Sequence, residues 1–179
     1  MRRMAFWTAA AIVPLAVAVA AAHAADPSPK TAAAPPAMAA PLSSAFLSSA
    51  TVANLFEIES SKLALSKSGT DKIKAFASQM VTDHTAAGTK MKQAVADAKL
   101  APPAEKLDAK HQALLDSLKK KDGASFDAAY VRAQQDGHVE TVALFEAYAG
   151  GGDNARLQQF AREMLPRLKQ HLEHANALR

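Results

Sequence analysis

Side chains of the kinds that bind metal ions fall near the middle of four predicted helices. When successive residues are advanced by about 100°, each long helical segment shows one apolar face. One carboxylate or imidazole lies within each face, and the four residues are Glu57, His84, His138 and His171. Two similar residues, Glu59 and His174, fall outside these faces. The pattern therefore directs four potential metal ligands toward the predicted core.

Two chemical interpretations fit this arrangement, because buried groups of this kind are costly unless they are paired. In the first, the four groups bind a single transition metal ion, since neutral imidazoles and a carboxylate suit zinc, copper or iron. Asp83 and Gln134 would then be supporting residues. In the second, the groups form only a buried hydrogen-bond network. There Glu57 accepts a hydrogen bond from His84, and the other histidines bond to Gln134, Thr141 or a tyrosine. The sequence leaves both interpretations open.

The heights of the four residues along their helices agree only in part. Counted from the first predicted turn, Glu57 and His84 lie within roughly 3 Å of each other at about 1.5 Å per residue. Counted from the glycine turn between their helices, His138 and His171 differ by roughly 9 Å. A kink at Pro166 could change that difference. The sequence alone does not decide whether all four side chains converge.

Several kinds of catalytic site are not predicted. Ferritin-type di-iron chemistry uses Glu-x-x-His motifs, whereas Val81 and Leu168 stand three residues before His84 and His171. Thiol and iron–sulfur chemistry is excluded because the chain has no cysteine. The sequence contains no serine–histidine–aspartate pattern and no phosphate-binding glycine loop. We therefore predict no catalytic residues, and a metalloenzyme is the least supported alternative.

Capping and helix-breaking residues divide the chain into five helical segments. The predicted segments run from residue 43 or 44 to about 68, from 70 or 71 to about 99, from 108 to about 123, from 125 to about 149, and from 153 almost to 179. The predicted N-terminal caps are Ser43 or Ser44, Thr70 or Asp71, Asp108, Ser125 and Asp153. No segment alternates with the period of two that is typical of strands.

The lengths of the connections predict how the helices pack. Short turns at Gly69 and at 150–153 predict two antiparallel helical hairpins. The connection over 100–124 is much longer and carries its own short helix, so it can cross the length of the hairpins. The fold class is therefore predicted to be all-α, a ferritin-like four-helix bundle with a long crossover.

The N-terminal residues have the pattern of a secretory signal peptide. Arg2 and Arg3 precede an apolar run that ends in the small-residue motif Ala22-His23-Ala24, which predicts cleavage after Ala24. Residues 25–42 are rich in proline and alanine and are predicted to form a disordered tether. The helical domain then occupies residues 43–179. The protein is thus predicted to be periplasmic or secreted, with no transmembrane segment in the mature chain.

The charge of the chain argues against a nucleic-acid partner. The formal net charge is +4, and it falls to about +2 once Arg2 and Arg3 are removed with the signal peptide. Nucleic-acid binding depends on many phosphate contacts from basic side chains. A nearly neutral exported protein does not meet that requirement.

Four segments carry a resemblance to a known family. They read FEIESSKLAL (56–65), IKAFASQMVTDH (73–84), FDAAYVRAQQDGH (126–138) and LQQFAREMLPRLKQHL (157–172). Over 46–178 the sequence resembles the DUF4142 family of exported bacterial proteins, which are often labelled predicted outer-membrane proteins. The family pattern has a glutamate in its first helix, an Asp-His pair, a histidine after Phe-Asp-x-x-Tyr, and Leu-Pro-x-Leu-x-x-His. These positions correspond to Glu57, Asp83-His84, His138 and the segment 165–171.

The resemblance implies a ferritin-like fold but no particular activity. Together with the residues, it predicts an exported, non-enzymatic binding or stress-related protein whose Glu/His cluster holds one metal ion. The alternative is a structural or partner-binding bundle in which the cluster is only a hydrogen-bond network.

Overall fold

The computed structural model describes residues 41–178. The predicted signal peptide and nearly all of the predicted tether lie outside the described residues. Within that part of the chain there are five α-helices and no β-strand, so the all-α prediction is confirmed there. The helices are α1 (Ser43–Lys67), α2 (Asp71–Asp97), α3 (Ala109–Lys119), α4 (Gly123–Gly151) and α5 (Ala155–Ala177).

Several helices begin at residues other than those predicted. Asp108 caps α3 as expected, because its side chain accepts a hydrogen bond from the N–H of His111. The prediction of Asp153 for α5 is wrong by one residue, since the Asn154 side chain accepts from the first free N–H groups of that helix. The predicted cap Ser125 is also wrong, because α4 already begins at Gly123.

The predicted cap Ser43 is wrong for a different reason. Its side chain does not cap α1 but bonds to Asp153, far away in the sequence. The N-cap position of α1 is taken by Leu42, which has no capping side chain. Ser43 donates to Asp153 Oδ1 from its backbone N–H at 2.8 Å and from its hydroxyl at 2.5 Å. The hydroxyl of Tyr148 donates to the same oxygen at 2.9 Å. One carboxylate oxygen therefore joins the start of α1 to the end of α4 and the turn before α5.

The four long helices contact one another as a closed ring: α1 with α2, α2 with α5, α5 with α4, and α4 with α1. The short connectors make α1 and α2 antiparallel, and likewise α4 and α5. Ser43 contacts Tyr148 whereas Ser61 contacts Tyr130, so α1 and α4 also run in opposite directions. The short helix α3 lies in the long connection and packs mainly on α1.

Buried apolar side chains form two clusters along the helices. The first contains Phe46, Leu47, Ala50, Met91, Val95, Phe145, Tyr148, Leu157, Phe160, Ala161, Met164 and Leu168. The second contains Phe56, Ala64, Ile73, Phe76, Ala77, Met80, Leu115, Leu118, Phe126, Tyr130, Ala133 and Ala175. On α2, α4 and α5, buried polar residues stand between the members of the two clusters. A polar layer thus crosses the middle of the core.

Among the residues that the structure describes, no helix is both long enough and apolar enough to span a membrane.

Candidate metal centre

Three imidazoles meet in the polar layer. His84, His138 and His171 come from α2, α4 and α5, and each is at most 5% exposed. Their ring centroids are 5.4 to 5.7 Å apart. One ring nitrogen from each lies within 4.8 Å of those of the other two. The three rings therefore form a nearly equilateral triangle in a buried setting.

The outward nitrogen of each ring has an oxygen partner. Nδ1 of His84 lies 3.1 Å from the side-chain oxygen of Asn54. Nδ1 of His138 lies 2.9 Å from the backbone carbonyl of Gln134, one turn earlier on α4. Nε2 of His171 lies 2.8 Å from a carboxylate oxygen of Asp83. All three partners are acceptors, so the hydrogen of each neutral ring resides on its outward nitrogen.

The remaining nitrogens are left as acceptors. Nε2 of His84, Nε2 of His138 and Nδ1 of His171 are buried and have no hydrogen-bond partner among the described residues. Buried polar atoms are nearly always satisfied in folded proteins. The three rings of the triangle thus each carry one buried acceptor without a partner, and such a group could hold a cation.

The difference in height expected between His138 and His171 is smaller in the folded chain. Helix α4 continues to Gly151 and α5 starts only at Ala155, which leaves about three residues, or about 4.5 Å, between the two Cα levels. Side chains also lean toward the N-terminus of their own helix. Because α4 and α5 are antiparallel, the two imidazoles lean toward each other and close the gap.

Glu57 lies beside the triangle but does not belong to it. Its Oε1 is 3.7 Å from Nδ1 of His138, the nitrogen that faces away from the other histidines. Its Oε2 is buried and has no hydrogen-bond partner among the described residues. Burial raises the pKa of this carboxyl, and the neighbouring His138 offsets that shift only in part. The structure thus brings together the three histidines and sets Glu57 outside them.

The residues expected to support the site contact the histidines in different ways. Asp83 holds His171 through its carboxylate. Gln134 holds His138 through its backbone carbonyl, while its side-chain amide donates to Ser60 at 3.2 Å. Asn54 holds His84, and sequence reasoning missed it. Two features of the sequence could have indicated Asn54. It lies one turn before Glu57 on the same helical face, and asparagine is unfavourable inside helices unless its amide has a specific partner.

Two glycines in the middle of long helices make room for the polar residues of α1. A Cβ atom at Gly88 would lie 3.1 Å from the Asn54 amide nitrogen, and one at Gly137 would lie 3.1 Å from Glu57 Oε1. Glycine inside a helix costs about 1 kcal/mol relative to alanine. Glycine is needed at these two positions despite that cost, because a larger residue would crowd the two α1 side chains that approach the histidines.

The surroundings keep two of the imidazoles, those of His84 and His171, in the form that binds metal. Burial lowers the pKa of His84 well below its usual value. Burial also lowers the pKa of His171 to about 4, although the hydrogen bond with Asp83 opposes that shift. Both rings are therefore neutral at neutral pH, and neutral imidazole is the form that coordinates metal ions.

The chain belongs to the DUF4142 family, whose model, described as a domain of unknown function, matches residues 28–178. The predicted family membership is confirmed. The matched range includes all five described helices and every residue of the candidate metal centre. No curated protein and no solved structure matches the chain.

Proposed function

We propose that this protein binds a single transition metal ion through His84, His138 and His171. The observation that carries the proposal is the set of three inward ring nitrogens, buried and without hydrogen-bond partners. A ligand set of three imidazoles suits zinc, copper or iron. Oxygen acceptors on the outward nitrogens are the usual supports of metal-bound histidines, since they fix the tautomer and raise the basicity of the ligand.

The size of the triangle supports the same proposal. Three nitrogens bound tetrahedrally at about 2.0–2.1 Å from zinc lie about 3.4 Å apart. Here one ring nitrogen of each histidine lies within 4.8 Å of those of the other two. Each imidazole therefore needs to move inward by less than about 1 Å to reach the coordination distance.

The alternative function, a bundle held by a hydrogen-bond network alone, lacks a hydrogen-bond donor among the three imidazoles. A network among the three rings requires at least one inward N–H donor. Asn54, Gln134 and Asp83 present acceptor oxygens to the outward nitrogens, so all three inward nitrogens accept. Glu57 also faces His138 and not His84. These contacts favour metal binding over the network.

We also propose the fold and the cellular location of the metal-binding domain. The ring of helix contacts, with antiparallel pairs joined by a long connection, supports a ferritin-like bundle for residues 43–179. The basic, apolar and small-residue pattern of residues 1–24 supports a signal peptide, and the composition of 25–42 supports a tether. The proposed protein is thus an exported, non-enzymatic metal-binding module, with Glu57 outside the ligand triangle.

Metal-dependent stability tests the proposed function. The mature chain, stripped with a chelator, is melted alone and with zinc, copper(II) or iron(II). At 100 times its Kd, a metal raises the free energy of unfolding by about 2.7 kcal/mol, so the melting temperature should rise for at least one ion. Calorimetric titration should then give one ion per chain. His84→Ala should abolish both effects.

His174→Ala is the matched control, because His174 is an exposed histidine on α5. It should keep the metal-dependent rise. If no ion stabilises the wild type and only His84→Ala melts early, the network alternative is correct. If both variants behave like the wild type in every condition, His84 has no part in either arrangement.

A further inference from the structure

A small apolar cavity lies against the imidazoles on the side of the first apolar cluster. Its volume is about 30 Å³, and His84 and His171 form part of its wall. Ala53, Ala87 and Thr141, small residues about one turn from Glu57, His84 and His138, also line it. Larger apolar side chains form most of the remaining wall, and Asn54, Asp83 and Arg167 also line it; the apolar residues are Met91, Phe145, Phe160, Met164 and Leu168. The short side chains of three helices therefore leave a space beside the triangle.

The size and polarity of the cavity restrict what it can hold. A water-sized probe needs about 10–15 Å³, so the space accommodates roughly two non-hydrogen atoms. The exposed wall is almost entirely apolar. An ordered water needs two to four polar partners. The one cationic side chain of the wall, Arg167, lies 3.9 Å from the carboxylate of Asp83, so an anion would gain little in exchange for its lost hydration. An uncharged molecule of two heavy atoms meets both restrictions.

A metal held by three imidazoles offers a place for such a molecule. Zinc and similar ions with three protein ligands keep at least one further coordination position for an exogenous ligand. We propose that the cavity binds a small uncharged diatomic molecule, such as nitric oxide or dioxygen, next to the metal. This inference rests on the proposed metal binding by His84, His138 and His171. It adds the class of ligand and the location of its site, and it involves binding without any chemical change in the ligand.

Nitric oxide and azide are the probes that test this inference. The mature chain is loaded anaerobically with iron(II), and metal content is measured before any ligand is added. Nitric oxide is then titrated and followed by the electron paramagnetic resonance signal of an iron–nitrosyl complex, and azide by its absorption. Nitric oxide should bind one molecule per iron. Azide, which is charged and has three atoms, should bind far more weakly or not at all.

A variant that fills the cavity separates binding in this space from binding elsewhere. Ala87→Val adds two methyl groups to the wall and should weaken nitric oxide binding by about tenfold or more, while iron content stays at the wild-type level. Ala94→Val is the matched control, because Ala94 is a partly buried alanine two turns further along α2 and is not part of the cavity wall. Ala53→Val repeats the test from α1 if Ala87→Val does not fold.

The outcomes distinguish this inference from the proposed function. If the wild type takes up no metal, the proposed function fails and this inference fails with it. If the wild type takes up iron but binds no nitric oxide, only this inference is wrong. It is also wrong if azide binds as well as nitric oxide, or if the alanine-to-valine variants of the wall bind nitric oxide as the wild type does.

Discussion

Each imidazole of the candidate metal centre is oriented by a different kind of oxygen. His84 has a side-chain amide, His138 a backbone carbonyl and His171 a carboxylate. A carboxylate partner increases the basicity of the ring that it holds, whereas a neutral amide mainly fixes its orientation and tautomer. His171 is therefore the most electron-rich of the three, and the position of His84 depends on one half-buried residue of α1, Asn54.

Removal of Asn54 should weaken metal binding without removing a ligand. In Asn54→Ala the His84 ring loses the acceptor that holds its hydrogen on Nδ1, so Nε2 no longer stays available as a ligand. Loss of such a partner typically costs about 10–100-fold in metal affinity. Competition with a metal-binding dye measures this change.

Asn54→Asp should recover most of the affinity, because its carboxylate still accepts from Nδ1 of His84. Asn176→Ala, an exposed asparagine of α5, is the control and should bind metal as the wild type does. Equal affinities of Asn54→Ala and the wild type would show that the contact between Asn54 and His84 has no effect on the metal.

At the scale of the helices, one exposed carboxylate connects three helix ends. Asp153 lies in the turn between α4 and α5 and accepts from Ser43 at the start of α1 and from Tyr148 near the end of α4. These hydrogen bonds hold the pKa of Asp153 below its usual value of 3.8, with the Ser43 hydroxyl as the largest cause. The ionised form is thus favoured in the folded chain.

The contribution of Asp153 to stability should depend on pH. Because its pKa is lower when folded, the unfolded chain binds more protons near pH 3.8, so stability rises with pH in that range. The stabilisation is fully present above pH 3.8 and is lost as the pH falls through the folded value. Urea unfolding of the wild type and Asp153→Asn should therefore show a difference in midpoint at pH 7 that shrinks below pH 3.8.

A second substitution checks that Ser43 is the cause. In a Ser43→Ala background, the hydroxyl donor to Asp153 is gone, so Asp153→Asn should make a smaller difference at pH 7. A difference between the wild type and Asp153→Asn that stays constant with pH would contradict the assignment of the lowered pKa to this junction.

At the scale of the whole molecule, the described domain places a polar layer between two apolar clusters. A continuous apolar core would bury more carbon and would be the simpler way to stabilise four helices. The chain instead places three histidines, Glu57 and Gln134 at mid-height, with glycines on α2 and α4 that admit the α1 side chains. Burial of polar atoms without hydrogen-bond partners lowers the free energy of unfolding of the metal-free chain. A bound cation would offset that loss.

The proposed export predicts a shortened N-terminus, which mass spectrometry can check. When the full chain is expressed with a functional secretion pathway, the protein recovered from the periplasm or medium should lack residues 1–24 and begin at Ala25. The physical reason is the apolar run and the small-residue motif before that bond. Full-length protein found only in the cytosol would contradict the proposed export.

Limited proteolysis extends the same test to the tether. Cleavage should occur first within residues 25–42, because a proline- and alanine-rich segment cannot bury enough apolar surface to fold. The surviving fragment should begin near Leu42. Early cleavage inside α1 would contradict the proposed division between tether and domain.

The order of apolar residues along the chain was sufficient to predict which helical faces are buried. The 3.6-residue period of apolar residues is a local property, so it correctly predicted that Glu57, His84, His138 and His171 point inward and that Glu59 and His174 do not. Capping by Asp108 was predictable for the same reason, because it involves residues within one turn. Four segments of the sequence were also enough to predict the family.

Which of the inward residues meet depends instead on how distant parts of the chain pack together. The convergence of His138 with His171 depends on where α4 ends, where α5 begins, and how antiparallel side chains lean. The exclusion of Glu57 from the triangle depends on which side of His138 it approaches. Ser43 and Asp153 were predicted as caps because their types suit that role, but they bond to each other across 110 positions of the chain. Contacts between distant residues compete with local preferences, and a period of 3.6 residues contains no information about them.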